Sequence, residues 1–321
     1  MLQTRSNYSS HEDSLMAASL TDRERQILEG LPGPPETAEI RTTNVWIIEW
    51  LFPADPPTGR FLHETLNVRR PGWSIYEPCQ SKADVLDSIR RATQRAQQAS
   101  MIPVLHLETH GGTSGLGGPD HTGSQELLTW DELTAPLQEL NLATGCNLVI
   151  FVAACVGFAG VQALLRGSQA PAVALVGPDN DVEPSGLLSA TEEFYRRWTD
   201  KRPRFKDVTL SASRAAGTVT LELEPFAALF YEAFVEELIT SVRPSERDRR
   251  VERLRRRILQ ATTLSAPEVE ERLAHVPGLP SWTVLQNIWD KMFMIDRYPE
   301  NRQRFGLDVR AIIEMIARSH D

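Results

Sequence analysis

The stretch Leu148-Val149-Ile150-Phe151-Val152-Ala153-Ala154-Cys155 decides the fold. It is apolar without a break up to the cysteine and too short for a buried helix, so it reads as a central parallel strand covered on both faces. Working outward, the chain alternates strand and helix signals. Upstream, Val45-Trp46-Ile47-Ile48-Glu49-Trp50-Leu51 is a short run rich in β-formers, 82–98 sets Val85, Leu86, Ile89 and Ala96 along a helical stripe, and 102–109 is strand-like again. Thr129-Trp130-Asp131-Glu132 has capping-box spacing, in which Thr caps an early backbone N–H and Glu reaches back. The helix it opens carries Trp130, Leu133, Leu137 and Leu140 on one face. Downstream follow a small-residue helix at 157–165, a buried strand at 172–176, a helix at 185–198 and an edge strand at 218–223. This order predicts an α/β sandwich, a mostly parallel sheet with helices on both sides.

After Pro225 only helical periodicity remains, over 226–242, 247–261, 282–297 and 307–318, and Arg243-Pro244-Ser245 interrupts it. At the other end residues 1–18 read as a loose polar tail. Thr21-Asp22-Arg23-Glu24 fits another capping box, and Pro32-Gly33-Pro34-Pro35 reads as a linker. The expected organisation is a tail, short helix and Pro-rich linker over 1–40, an α/β domain over 41–242, and an all-helical C-terminal region over 243–321.

Composition narrows the function classes. Hydrophobic residues make up 41% and charged ones 24%, as in ordinary globular proteins. A net charge of −9 argues against the whole chain binding nucleic acid or an anionic membrane. No apolar run approaches the roughly 18 residues of a membrane span, and the polar start lacks a signal-peptide core. Three cysteines, Cys79, Cys146 and Cys155, cannot build a disulfide framework or a four-thiolate zinc site, so a reducing, cytoplasmic setting is expected.

In parallel α/β sheets, sites gather at the carboxyl ends of central strands. Two strands here end in reactive groups: Val104-Leu105-His106-Leu107-Glu108-Thr109 runs into His110-Gly111-Gly112, and Leu148–Ala154 into Cys155-Val156-Gly157. A thiol ahead of a helix N-terminus is favoured as thiolate, and a histidine on the neighbouring strand can serve it as base and then as acid. The glycines allow close backbone approach, and the Gly111 and Cys155 N–H groups are candidate oxyanion donors.

The pattern of a hydrophobic strand ending in His-Gly, followed by one ending in Ala-Cys, resembles the caspase-like cysteine peptidases. With Leu127-Leu128-Thr129-Trp130-Asp131-Glu132-Leu133 between them and Val176-Gly177-Pro178-Asp179 after the next strand, it is most similar to bacterial CHAT-domain proteases. The resemblance covers roughly 42–240. It implies a caspase-like α/β/α sandwich and cleavage of a protein substrate without a cofactor. It makes His110 the base and Cys155 the nucleophile, and puts Gly111 in the oxyanion hole. It also implies limited cleavage in a regulated bacterial defence or cell-death pathway, with activity latent until a partner or ligand rearranges 111–118 and 179–184. Caspases carry Gln and metacaspases Asp two residues before the cysteine; here that position is Ala153, so neither preference transfers. Asp179, Asp181 and Glu183 at the end of the next strand are candidates to select a basic P1 residue, or form a solvated acidic loop.

Other readings compete. His106, Glu108 and His110 share a strand face, but no further His or Cys stands at ligand spacing, so no metal is expected. His110-Gly111-Gly112 resembles a lipase oxyanion turn without the Gly-x-Ser-x-Gly elbow, and 111–118 lacks the Gly-Lys-Ser/Thr of a phosphate loop and reads as a mobile loop. Asp120-His121 is a second candidate base. Between Arg243 and Arg257 eight arginines interleave with three acidic residues, which suits a solvated or protein-contact face better than nucleic acid. Trp282, Leu285, Ile288, Trp289, Met292 and Phe293 form a stripe that either packs on the domain or receives an activating partner or ligand. The alternative to a peptidase is a catalytically silent caspase fold acting as a partner-binding or scaffold module.

Overall fold

The computed structural model describes residues 20–34, 40–160, 164, 169–201, 205–216, 219–241, 252, 255 and 281–320. The chain forms two compact units, the larger from 34–232 with 283–309, the smaller from 1–33, 233–282 and 310–321. The expected helix at 247–261 lies outside the described residues, apart from Glu252 and Arg255.

The larger unit is built on strands β1 (Asn44–Trp50), β2 (Ser74–Pro78), β3 (Pro103–Gly112), β4 (Gly115–Pro119), β5 (Gln125–Thr129), β6 (Val149–Ala153), β7 (Ala174–Pro178) and β8 (Leu221–Pro225). The sheet order is β2-β1-β3-β6-β7-β8, parallel throughout except for β8, which closes the edge antiparallel to β7. The apolar runs of β1, β6 and β7 are buried at every position, as strands covered on both faces must be. The mostly parallel α/β sheet read from the sequence is thus what the chain forms.

Helices α2 (Thr58–Arg69), α3 (Lys82–Ala99), α4 (Trp130–Ala143), α5 (Pro184–Lys201) and α6 (Phe205–Ala216) flank it. Alternation along β1 assigns the faces. Trp46 donates its indole N–H to Ser88 of α3 at 2.9 Å, whereas Glu49, of opposite parity, accepts from the Gly59 and Arg60 amides at the start of α2. Register extends the Glu49 face across the sheet: Ile47 stands beside His106 and Phe151, Glu49 beside Glu108 and Ala153. His106 meets Tyr195 of α5, so α2 and α5 cover this side, and α3, which packs on α4, covers the other.

Both capping boxes form. Thr21 Oγ1 accepts from the Glu24 amide while Glu24 accepts from the Thr21 amide, at the head of α1 (Asp22–Gly30). Thr129 and Glu132 do the same for α4, whose Trp130, Leu133, Leu137 and Leu140 are buried. The 111–118 segment is not a mobile loop. It completes β3, turns, and forms β4, which pairs with β3 and β5. Glycine makes this possible at Gly118, where a Cβ would lie 2.5 Å from the Trp50 indole, and Trp50 in turn donates to the Pro119 carbonyl at 2.7 Å.

Beyond β8 come α7 (Phe226–Ser241), α8 (Trp282–Met292) and α9 (Val309–His320). The apolar stripe divides. Leu285, Trp289, Met292 and Phe293 are buried, with the Trp289 N–H on the Phe305 carbonyl and Phe293 stacked on Phe305, while Trp282 and Ile288 are exposed. Among the described residues no helix is long and apolar enough to cross a membrane.

Candidate active site

Just beyond the Glu49–Glu108–Ala153 row, β1 and β6 end, and Leu51, His110 and Cys155 follow. These three residues line one small cavity of about 80 Å³ at the carboxyl ends of β1, β3 and β6, together with Asp55, Thr58, Glu108, Ala153 and Leu187 among others. The structure therefore brings His110 and Cys155 together.

Gly111 lies directly against the Cys155 backbone. A Cβ there would collide with the Cys155 carbonyl oxygen and stand 2.8 Å from the Ala154 Cβ, so only glycine lets β3 and the Cys155 turn approach so closely. That turn is itself unusual. Val156 adopts a left-handed conformation (φ 52°, ψ 27°), which is costly for a β-branched residue and collects at functional turns. It is held from the segment after β7: the Val156 amide donates to the Asn180 carbonyl at 3.0 Å, and the Cys155 thiol faces the Val182 carbonyl at 3.8 Å. Of the helix expected at 157–165, Gly157–Ala159 form one turn of 3-10 helix, Leu164 is helical, and 161–163 and 165 lie outside the described residues.

His110 has a partner that sequence reasoning missed. Asp55 Oδ2 accepts from His110 Nε2 at 2.8 Å and from the Phe52 amide at 2.9 Å, and the Phe52 ring lies 5.7 Å from the imidazole. An ionised carboxylate can only accept, so Nε2 is the donor in this pair, and in the neutral ring that leaves the lone pair on Nδ1. In sequence, Asp55 hides in Phe52-Pro53-Ala54-Asp55, which reads as an ordinary turn. Only its place at the end of a central strand marks it out.

Behind His110 and Cys155 is a buried polar network. His106 Nε2 meets Glu108 Oε2 at 2.9 Å, His106 Nδ1 meets the Tyr195 hydroxyl at 3.2 Å, and Thr58 donates to Glu108 Oε1 at 2.6 Å. Tyr76 donates to Glu49 at 2.7 Å, and burial with that carboxylate holds the phenol well above its usual range. The start of α2 sits over both glutamates, where its amides and dipole favour negative charge. Glu108 and Thr58, both members of the network, form part of the cavity wall.

The other candidates fall elsewhere. Asp181 and Glu183 are exposed and Asp179 half-buried; the cavity takes Val182 and Pro184 from their segment, and none of the three carboxylates lines it. Asp179 faces Glu222 of β8, whose carboxyl is raised by burial and by that neighbouring charge. Asp120 caps the β4–β5 turn through Thr122 and Ser124, and neither it nor His121 lines the cavity. Cys79 and Cys146 are buried, and desolvation pushes their thiols up to about 12 and about 11. Cys155, half-buried, is the accessible thiol. No group of His, Cys, Asp and Glu among the described residues could hold a metal ion.

No family model and no curated protein matches the chain. Among solved structures, the complex of the Porphyromonas gingivalis RgpB pro- and mature domains aligns at 14% identity with a TM-score of 0.36. The alignment covers 64% of this chain and 53% of that one, so the chain spans about half the length of that structure.

Proposed function

We propose that the protein is a cysteine endopeptidase that makes limited cuts in a protein substrate. The observation that carries this is the convergence of Cys155, His110 and Asp55 on one cavity, with the Gly111 backbone packed against Cys155. His110 Nδ1 takes the thiol proton, and the Cys155 sulfur attacks the substrate carbonyl while backbone N–H groups around Gly111 and Cys155 receive the oxyanion. The C–N bond breaks as His110 returns the proton to the leaving amine. Water then hydrolyses the thioester with His110 again as base, releasing the acid and restoring the thiol. Asp55 holds the imidazole in the reactive tautomer and offsets its charge when protonated.

The carboxylates of Asp55 and Glu108 line the cavity and Asp55 is engaged by His110, so P1 selection is assigned to Glu108; cuts after Lys or Arg are expected, and Glu108→Gln should weaken that preference, while unchanged cut sites in this variant would refute the assignment. The setting in bacterial defence or cell death rests on the sequence motifs alone.

The dyad is tested by the pH dependence of iodoacetamide labelling at Cys155. Wild type should label faster than His110→Ala across the neutral range, because the imidazole takes the thiol proton. Superimposable profiles would favour a silent scaffold.

A further inference from the structure

A second cavity, of about 870 Å³, opens at the opposite end of the sheet, within the larger unit. Its walls come from segments preceding β1, β3 and β6 and from 297–304, so it faces the amino ends of the strands whose carboxyl ends carry His110 and Cys155. Arg41, Arg297 and Arg304 line it against one carboxylate, Glu300, an excess of two positive charges.

Arg304 is the informative residue. Its Nη1 donates to the Cys146 carbonyl at 3.0 Å and to Asn301 Oδ1 at 3.3 Å, and the guanidinium lies over the Phe305 ring at 4.6 Å. Its Nε and Nη2 are buried and have no hydrogen-bond partner among the described residues. Burial pulls the guanidinium below its usual range, and the nearby Arg41 charge adds to that. A desolvated cation with two unmatched donors beside a second cation is costly unless an anion joins it. Both donors are closed off from the cavity as it stands, so an anion must draw the guanidinium toward itself; the fork the donors then present is the geometry that grips phosphate or carboxylate oxygens.

We propose that this cavity binds a small organic phosphate. The net excess of two charges matches a phosphomonoester, which is close to dianionic at neutral pH, better than a single carboxylate. The volume lies within the range of small-molecule sites, and Ala96, Met101, Ile102 and Leu142 supply an apolar wall for the organic part. The frame is fixed without the ligand: Tyr298 donates to the Leu142 carbonyl, and Asn301 to the Phe293 carbonyl. None of this depends on the peptidase reading.

The test is calorimetric titration of the full chain with AMP, ATP, inorganic phosphate and citrate, paired with melting curves. AMP or ATP should bind and raise Tm, with citrate and inorganic phosphate weaker. Arg41→Gln, at an exposed position, should weaken binding about 10- to 100-fold, the loss expected for one charge-assisted contact. Arg304→Met should abolish the ligand shift while the unliganded protein stays folded, the loss of the Nη1 bonds to the Cys146 carbonyl and Asn301 being set against removal of an unmatched buried charge; a ligand shift that survives in Arg304→Met would count against the site. No binding of either nucleotide, or undiminished binding in Arg41→Gln, would overturn the proposal. Citrate or inorganic phosphate binding as tightly as AMP would overturn the organic-phosphate assignment.

Discussion

Gly111→Ala is the substitution whose cost can be worked most directly from the site. The added methyl would overlap the Cys155 carbonyl oxygen and stand 2.8 Å from the Ala154 Cβ and 3.3 Å from the Cys155 carbonyl carbon, where ordinary carbon contacts begin near 3.5 Å. Backbone cannot swing away as a flexible side chain can, so β3 and the Cys155 turn must separate. Overpacking of this kind costs about 1–3 kcal/mol. For a unit of this size that lowers Tm by about 2–4 °C per kcal/mol, or about 2–12 °C. Activity should fall further than stability, because the displaced atoms are those around the nucleophile, and a misplacement near 1 Å can cost about a hundredfold in rate. Gly112→Ala is the control: nothing lies within 4 Å of its added methyl, and a slightly restricted unfolded chain should leave Tm unchanged or raised by less than about 1 kcal/mol equivalent. The assay is peptide turnover and thermal melting of the two variants in parallel. If Gly111→Ala behaves like Gly112→Ala in both, the close approach of β3 to Cys155 does not exist as described.

Other outcomes follow from the same geometry. Asp55→Ala should lower kcat about 10- to 100-fold with little change in KM; a half-exposed pair contributes about 0–1 kcal/mol, so Tm should barely move. Native protein should titrate one thiol with a bulky disulfide reagent and three in denaturant, and a native Cys155→Ala variant none; rapid labelling of Cys79 or Cys146 would contradict their burial. Glu193 of α5 accepts from Arg196 and Arg197, and chiefly the Arg196 bond holds its carboxyl down from 4.5 to about 2. A depressed folded pKa gives stability that is present above the unfolded value and lost as pH falls through the folded one. The Tm gap between wild type and Glu193→Gln should therefore persist from neutral pH to about 4.5 and close toward about 2.

What the sequence made legible was whatever one segment settles alone. The runs of β1, β6 and β7 announce covered strands because every position is buried, and the two capping boxes announce helix starts because their partners are three residues apart. His110 and Cys155 could be paired because both end strands of one parallel sheet. What stayed hidden depends on tertiary partners. Helix α2 carries exposed Phe61 and Val68 beside buried Leu62 and Leu66, so no single stripe marks it, and its start is set by Glu49 from β1. The half-buried β2 ends in proline, and Ser and Thr interleave through α6, so neither stood out. The hairpin of β4 reads as a loop in sequence because its glycines signal freedom, whereas in the fold Gly118 serves close contact with Trp50. Asp55 and the inward Glu108 acquire meaning only from register and the neighbouring loop.

Peptide-bond cleavage by Cys155 is tested by digesting a diverse peptide library with wild-type protein and Cys155→Ala in parallel and reading the cut sites by mass spectrometry. Wild type should give cuts that vanish in Cys155→Ala and cluster after Lys or Arg. Cuts that survive in the variant, or no cysteine-dependent cut at all, would refute a peptidase.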